Sequence, residues 1–163
     1  MSRLRGWCHG LFLLLVGAGA VPLYGQSPAG LEVGLEAVGT FAGPDFGGGG
    51  VAFSVRPGGD VRATALVAPG VRGAELAARG ELLLNYLLAP ERRRGPGLYG
   101  IGGIGGVTGR GSAGYVVLGV GLESAPGGRS GWNIEAGVGG GFRLAAGWRL
   151  RWLHRSGRSP QAP

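Results

Sequence analysis

Two glycine-rich stretches come nearest to a known chemical motif. Gly100-Ile101-Gly102-Gly103-Ile104-Gly105 has the G-x-G-x-x-G spacing of a dinucleotide-binding loop, and Glu123 follows at about the distance expected of a ribose-binding carboxylate. That motif requires a helix to begin inside it, whereas here the glycine-rich sequence runs on to Gly111 and strand-like alternation follows. Gly109-Arg110-Gly111-Ser112 lacks the upstream glycine and the lysine of a phosphate-binding loop. Neither stretch predicts a nucleotide site.

Residues that usually carry catalysis are few and scattered. His154 lies near the end of the chain, Asp45 and Asp60 lie among turn-forming residues, and Cys8 is the single cysteine. No nucleophile, base and acid set and no cluster with metal-ligand spacing is visible in the sequence. We therefore expect a protein that is not an enzyme, with no catalytic residues, no metal and no cofactor.

Arginine dominates the charge of the chain. The chain has sixteen basic residues, all of them arginine, against nine carboxylates, which gives a net charge of +7. The run Arg92-Arg93-Arg94 could suggest nucleic-acid binding. An arginine triplet in a turn is more typical of a solvated surface or of contact with lipid headgroups. We expect no nucleic-acid partner.

The first 25 residues have the features of a secretory signal peptide. Arg3 and Arg5 form a positive start, Leu11 to Val16 form an apolar core, and Ala18-Gly19-Ala20 resembles a cleavage site. The apolar run of about 14 residues is shorter than the roughly 20 that a membrane-spanning helix needs. Because Cys8 lies in this segment, the exported chain would contain no thiol.

Composition and periodicity together indicate a β-rich fold. Glycine supplies 39 of the 163 residues, and each glycine inside a helix costs about 1 kcal/mol relative to alanine. Apolar and other residues alternate with a period of two, most clearly from Phe142 to Trp152, which places them on opposite faces of a strand. Seven breaks divide these runs into eight strands: Gly43-Pro44-Asp45, Pro57-Gly58-Gly59, Pro69-Gly70, Gly95-Pro96-Gly97, Gly109-Arg110-Gly111, Pro126-Gly127-Gly128 and Gly139-Gly140-Gly141.

The polar face favours a transmembrane barrel over a soluble one. It carries mixed charge and much glycine, which suits the narrow interior of eight strands; its charged residues are Glu32, Glu36, Arg56, Arg62, Glu75, Arg79, Glu81, Glu123, Glu135, Arg143, Arg149 and Arg151. Aromatic residues lie mostly near strand ends on the apolar face, as in interfacial girdles: Phe41, Tyr86, Tyr99, Trp132, Phe142, Trp148 and Trp152. The sequence therefore predicts an all-β, eight-stranded antiparallel up-and-down transmembrane β-barrel.

Two alternative architectures are open at this stage. A soluble secreted β-barrel that binds a small apolar ligand would show the same alternation, but with its apolar face turned inward. A glycine-zipper membrane protein would pack helices through spacings such as Gly102-x-x-x-Gly106.

The pattern resembles the small outer-membrane β-barrel family of Gram-negative bacteria, the OmpA/OmpX-like eight-stranded group. The resemblance covers roughly Leu31 to Trp152, and Gly147-Trp148-Arg149-Leu150-Arg151-Trp152 resembles the final-strand signal that such barrels present to the assembly machinery. With the signal peptide at 1–25, the expected barrel spans 26–152, and the loss of alternation after Trp152 predicts a disordered tail at 153–163. The resemblance also implies the cell outer membrane, outer-membrane lipid and the barrel assembly machinery as surroundings. The expected role is structural or one of interaction rather than that of a wide pore.

The last strand allows a sharper prediction. Leu144 and Leu150 should face lipid while Arg143 and Arg149 point into the lumen. In a closed barrel the first and seventh strands flank the eighth. Glu32 and Glu135 are therefore the predicted partners of Arg149.

Overall fold

The computed structural model describes residues 29–58, 60–109 and 111–154. The proposed signal peptide and the residues after 154 lie outside this part of the chain. The described residues form eight strands: β1 (Ala29–Phe41), β2 (Phe46–Gly58), β3 (Val61–Arg72), β4 (Glu75–Leu87), β5 (Pro96–Val107), β6 (Ala113–Ser124), β7 (Ser130–Val138) and β8 (Phe142–His154). No helix within these residues has the length and hydropathy needed to cross a membrane.

Each strand pairs with its neighbours in the chain, and β8 pairs antiparallel with β1 to close the barrel. The row of paired residues that leaves β1 at Leu31 passes once through every strand and returns to β1 at Phe41, ten residues further along. This stagger requires the strands to tilt by about 35–45° from the barrel axis. The predicted all-β fold, its eight strands and its up-and-down order are confirmed.

The two faces of the barrel have opposite polarity. In β1, Leu35 is 70% exposed while its neighbour Glu36 is 4% exposed. In β8, Leu144 and Leu150 face outward, whereas Arg143 and Arg149 are buried in the lumen, as predicted. The alternation therefore turns apolar residues outward and charged residues inward on both strands that close the barrel.

One of the seven predicted breaks between strands is wrong. Pro69 and Gly70 were expected to form a turn, but they lie within β3, where Pro69 pairs with Ala78 of β4. The ladder between β2 and β3 is interrupted opposite Pro69, between Gly48 and Val51, so the missing proline N–H removes no bond from it. The turn comes later, where Gly73 adopts a positive φ of 64°.

The strand boundaries differ from expectation at three further places. Pro57 and Gly58, which were expected in a break, are the last residues of β2. Pro96 and Gly97 belong to β5 rather than to the preceding break. At the other end of the chain, β8 continues to His154, two residues beyond the predicted barrel boundary, and His154 pairs with Ala29. Backbone pairing with β1 extends β8 there although the side-chain alternation has stopped.

A tight approach between β2 and β3 makes Gly50 the site of a testable substitution. A Cβ at Gly50 would collide with the carbonyl oxygen of Val67 and with Cα of Ala68, both of which are backbone atoms. Gly50→Ala should therefore lower the free energy of unfolding by about 1–3 kcal/mol. The matched control is Gly102→Ala, because a Cβ at Gly102 meets nothing within 4 Å. Urea titration followed by tryptophan fluorescence measures both, and equal midpoints would contradict the proposed collision.

Candidate functional site

The lumen holds a network of ionised side chains. Its cations and carboxylates are all buried, at 0–4% exposure: Arg56, Arg62, Arg79, Arg143, Arg149 and Arg151 with Glu32, Glu36, Glu81, Glu123 and Glu135. Arginines outnumber carboxylates by one in this set. Burying so many charges is tolerated only where each has partners, because an isolated buried ion carries a large desolvation cost.

The first group of ion pairs lies at the terminal end, the end of the barrel where β1 begins and β8 finishes. Glu32 accepts from Arg56 at 2.8 Å and from Arg62 at 3.3 Å. Glu123 accepts from Arg62 at 2.8 Å and from Arg151 at 2.9 Å. Each carboxylate thus bridges arginines from different strands, and we call these five residues the terminal cluster.

A second group lies toward the opposite, distal end. Glu81 pairs with Arg79 at 2.6 Å and with Arg143 at 2.9 Å. Arg143 also reaches Glu135 at 2.8 Å. Arg149 lies between Glu36, at 3.3 Å, and Glu135, at 3.2 Å. These six residues form the distal cluster.

Tyr99 joins the two clusters. Its hydroxyl donates to Glu135 Oε1 at 2.7 Å, and the guanidinium of Arg62 lies 4.9 Å from the centre of its ring. The prediction that Tyr99 belongs to an outer aromatic girdle is therefore wrong, because the side chain is 1% exposed and faces the lumen. Because its hydroxyl donates a hydrogen bond, the aromatic ring can lie beside carboxylates inside the barrel without presenting only apolar atoms to them.

Glycines on neighbouring strands make room for the lumenal tyrosines. Tyr99 of β5 pairs with Gly121 of β6, and Tyr115 of β6 pairs with Gly105 of β5. A Cβ at either glycine would collide with the ring opposite. Each ring also lies beneath an arginine, Arg62 over Tyr99 and Arg79 over Tyr115, the latter at 4.6 Å. Part of the high glycine content is thus explained by the need to fit two aromatic rings inside a narrow barrel.

Two of the ion pairs join strands that lie three or four positions apart around the barrel. Arg62 on β3 contacts Glu123 on β6, and Arg143 on β8 contacts Glu81 on β4. These strands are not neighbours in the barrel, so both contacts bridge its interior. Side chains therefore fill the lumen at two levels, as expected for eight strands.

Two loops cover the terminal end of the lumen, and we call them the terminal cap: residues 88–95 and residues 125–129. Backbone N–H groups of Ala125 and Gly127 donate to Gly95 and Arg92, at 2.9 and 2.8 Å. From inside the barrel, Arg56 donates to the carbonyl oxygens of Pro90 and Pro126, at 3.4 and 3.2 Å. The cap is consequently fastened both to itself and to the terminal cluster.

Most of the charged residues that were predicted to face the lumen do so. All twelve charged residues of the predicted polar face point inward except Glu75, which is exposed where β4 begins beside a turn. Arg149 contacts Glu135 as expected, but its other partner is Glu36 rather than Glu32. Glu32 instead contacts Arg56, Arg62 and Arg151.

Sequence reasoning missed the apolar part of the lumen. Buried apolar side chains pack in two groups: Val38, Phe46, Ala52, Leu66, Ala68, Val107 and Ala145 in one, and Leu83, Leu87, Tyr99, Ile101 and Val117 in the other. Apolar residues on both faces of a strand weaken its alternation. No signal in the sequence distinguishes such an inward leucine from an irregularity.

The candidate motifs for other chemistry are dispersed by the fold. Gly100 to Gly105 lies within β5, with no helix beginning there. Asp45 lies in the distal connection between β1 and β2, whereas Asp60 and His154 lie at the terminal end. Across residues 29–58, 60–109 and 111–154, no group of three or more acidic, histidine or cysteine side chains is placed to hold a metal ion.

The fold and the lumen together define an eight-stranded antiparallel barrel with a charged interior and an apolar exterior. Among solved structures, the chain is similar to the N-terminal β-barrel domain of OprF from Pseudomonas aeruginosa, with a TM-score of 0.58 and 16% sequence identity. The likeness covers 74% of this chain and 97% of that domain. No protein-family model and no curated protein sequence matches the chain. At this identity the comparison establishes the shared barrel fold.

Proposed function

We propose that the chain is an outer-membrane β-barrel protein with a structural or interaction role and without a wide pore. The observation that carries this proposal is the inverted polarity of the barrel. Large apolar side chains cover the outside, among them Leu35 at 70% exposure and Leu82 at 61%. A water-soluble protein rarely exposes so continuous an apolar surface, whereas a membrane barrel requires one.

The size of the apolar exterior fits a bilayer. Leu31 and Phe41 are the first and last large outward residues of β1. At about 3.3 Å per residue and a tilt of about 40°, the strand between them rises about 25 Å along the barrel axis. This matches the apolar band of about 25 Å that outer-membrane barrels present to lipid. Phe41 and Phe142 lie together at the distal edge, with ring centres 6.2 Å apart.

The two alternative architectures lack this support. A soluble barrel that binds an apolar ligand needs an apolar cavity, but the lumen here is filled by charged and packed side chains. A glycine zipper needs helices, whereas Gly102 and Gly106 lie in β5. The membrane barrel is therefore the better proposal.

The same proposal implies a route of export, a means of assembly and a lipid environment. A signal peptide at residues 1–25 would direct export across the inner membrane. The assembly machinery would then recognise the last strand, in which Trp148 and Trp152 face outward. Outer-membrane lipid would contact the apolar band. We assign the protein no catalytic activity and no nucleic-acid partner.

Membrane fractionation with gel electrophoresis before and after boiling tests the location. A folded outer-membrane barrel should fractionate with the outer membrane and migrate differently when unboiled. Recovery of the folded protein in the soluble periplasmic fraction would overturn the proposal. A helix-dominated circular dichroism spectrum in detergent would contradict the barrel itself.

Conductance is expected to be low. The ion pairs Arg62–Glu123 and Arg143–Glu81 cross the lumen, and the terminal cap covers one end. Reconstitution in planar bilayers should therefore give no stable nanosiemens-scale openings, because a side-chain-filled barrel lacks a continuous aqueous channel. A general porin measured in the same bilayers is the control. Porin-sized openings that depend on the presence of this protein would contradict the non-pore role.

A further inference from the structure

The terminal cap presents a concentration of arginine to its surroundings. Arg92, Arg93, Arg94 and Arg129 are all exposed, whereas Glu91 is the single carboxylate on these two loops. At the distal end, the charged residues in or beside the described connections are Asp45, Arg72 and Glu75. Among the described residues, the terminal end therefore has an excess of exposed positive charge even when Asp60 in the turn between β2 and β3 is included, whereas the distal end has none.

The cap holds its arginines on a well-defined backbone. Gly127 lies so close to the backbone of Glu91 that a Cβ would collide with it, and the N–H of Gly127 donates to Arg92 at 2.8 Å. The side chain of Arg92 donates back to the carbonyl oxygen of Pro96 at 2.7 Å. A surface held in place before binding loses less conformational entropy when a ligand arrives.

The position of the cap indicates which ligand it would meet. The 88–95 loop begins where the apolar exterior ends. Its first residue, Leu88, is 66% exposed, and Tyr86 in β4 and Leu98 in β5, on the two strands that it joins, are 54% and 56% exposed. If the apolar band lies in hydrocarbon, this loop lies at the level of the lipid headgroups. Guanidinium groups bind phosphate through paired hydrogen bonds.

We propose that the terminal cap binds the phosphates of anionic phospholipids in the leaflet around the terminal end. The inference rests on the proposed membrane location and deepens it by assigning a lipid class and a leaflet. Such binding would fix the depth of the barrel through the cap, because the arginines attract headgroups on one side only. An arginine near an anionic membrane surface strengthens binding by about five-fold.

Quenching of tryptophan fluorescence by brominated lipids tests the proposal on the full chain. Trp132, Trp148 and Trp152 face outward and report which lipids contact the barrel. The protein is reconstituted in vesicles containing brominated phosphatidylglycerol or brominated phosphatidylcholine, and the relative affinity for the anionic lipid is measured. The double variant, Arg93→Gln with Arg94→Gln, keeps the hydrogen bond from Arg92 to Pro96. The triple variant adds Arg92→Gln, which removes that bond. Arg72→Gln, at the distal end, is the matched control.

We expect the unchanged protein to prefer phosphatidylglycerol, and added salt to weaken that preference. Each cap arginine removed should lower the relative affinity by about five-fold, while Arg72→Gln leaves it unchanged. If the double and triple variants prefer phosphatidylglycerol as strongly as the unchanged protein does, the proposal is overturned. Failure of the unchanged protein to prefer phosphatidylglycerol over phosphatidylcholine would also overturn it. Absence of quenching by brominated phosphatidylcholine would instead refute the membrane location.

Discussion

Replacing Glu135 with glutamine should destabilise the barrel strongly, because three lumenal side chains share this carboxylate. Glu135 accepts from Arg143, Arg149 and Tyr99, so its loss leaves two cations short of a shared counter-charge. Removing one partner of a buried ion pair typically costs about 3–5 kcal/mol. We expect a loss of that size in the free energy of unfolding, measured by urea titration with tryptophan fluorescence.

A second variant shows whether charge is the cause. Glu135→Gln combined with Arg143→Met removes one carboxylate and one guanidinium together, so it should recover part of the lost stability. Glu91→Gln, on the exposed surface of the cap, should change stability by less than about 0.5 kcal/mol. If Glu135→Gln unfolds at the same urea concentration as Glu91→Gln, the lumenal network contributes no net stability and this account of it is wrong.

Placing arginine at Leu82 should be costly in a bilayer. Leu82 lies near the middle of β4, faces outward and is 61% exposed. An arginine on the lipid face near the midplane of a membrane barrel costs about 2–4 kcal/mol. Leu82→Arg should lose that much stability when folding is measured in phospholipid vesicles.

The same strand supplies the control for this prediction. Leu76 shares the outward face of β4 but lies beside the turn, with 89% exposure. Leu76→Arg should cost about 0–1 kcal/mol, because the penalty falls toward the interface. If the barrel is soluble, both positions face water and neither substitution should lower its stability. Equal stabilities for the two variants would therefore argue against lipid around β4.

The sequence predicts the facing of β8 correctly because local physics determines it. From Phe142 to Trp152 every second residue is apolar and the three arginines all lie between them, and a strand turns successive side chains to opposite faces. The same reasoning identifies eight strands. It fails at Pro69, since a proline facing outward beside an interrupted ladder behaves as a strand residue, although it has the composition of a turn.

The lumenal contacts depend on information that no single strand contains. Arg62 meets Glu123 and Arg143 meets Glu81 across the interior, which depends on barrel diameter, stagger and closure acting together. Tyr99 is misplaced for a related reason. Its strand carries apolar residues on both faces, with Leu98 outward and Ile101 inward, so polarity alone does not assign the direction of the tyrosine.

The pairing of Ala29 with His154 has a consequence for how the barrel can be rearranged. Paired residues on antiparallel strands lie about 5 Å apart, so a short hairpin linker could connect β8 to β1. New ends could then be opened between Gly73 and Ala74, in the distal turn between β3 and β4. The circular permutant would retain every strand neighbour and the stagger, while its ends would emerge at the opposite end of the barrel. A domain fused to this chain can thus be attached at either end of the barrel by the choice of where the ring is cut.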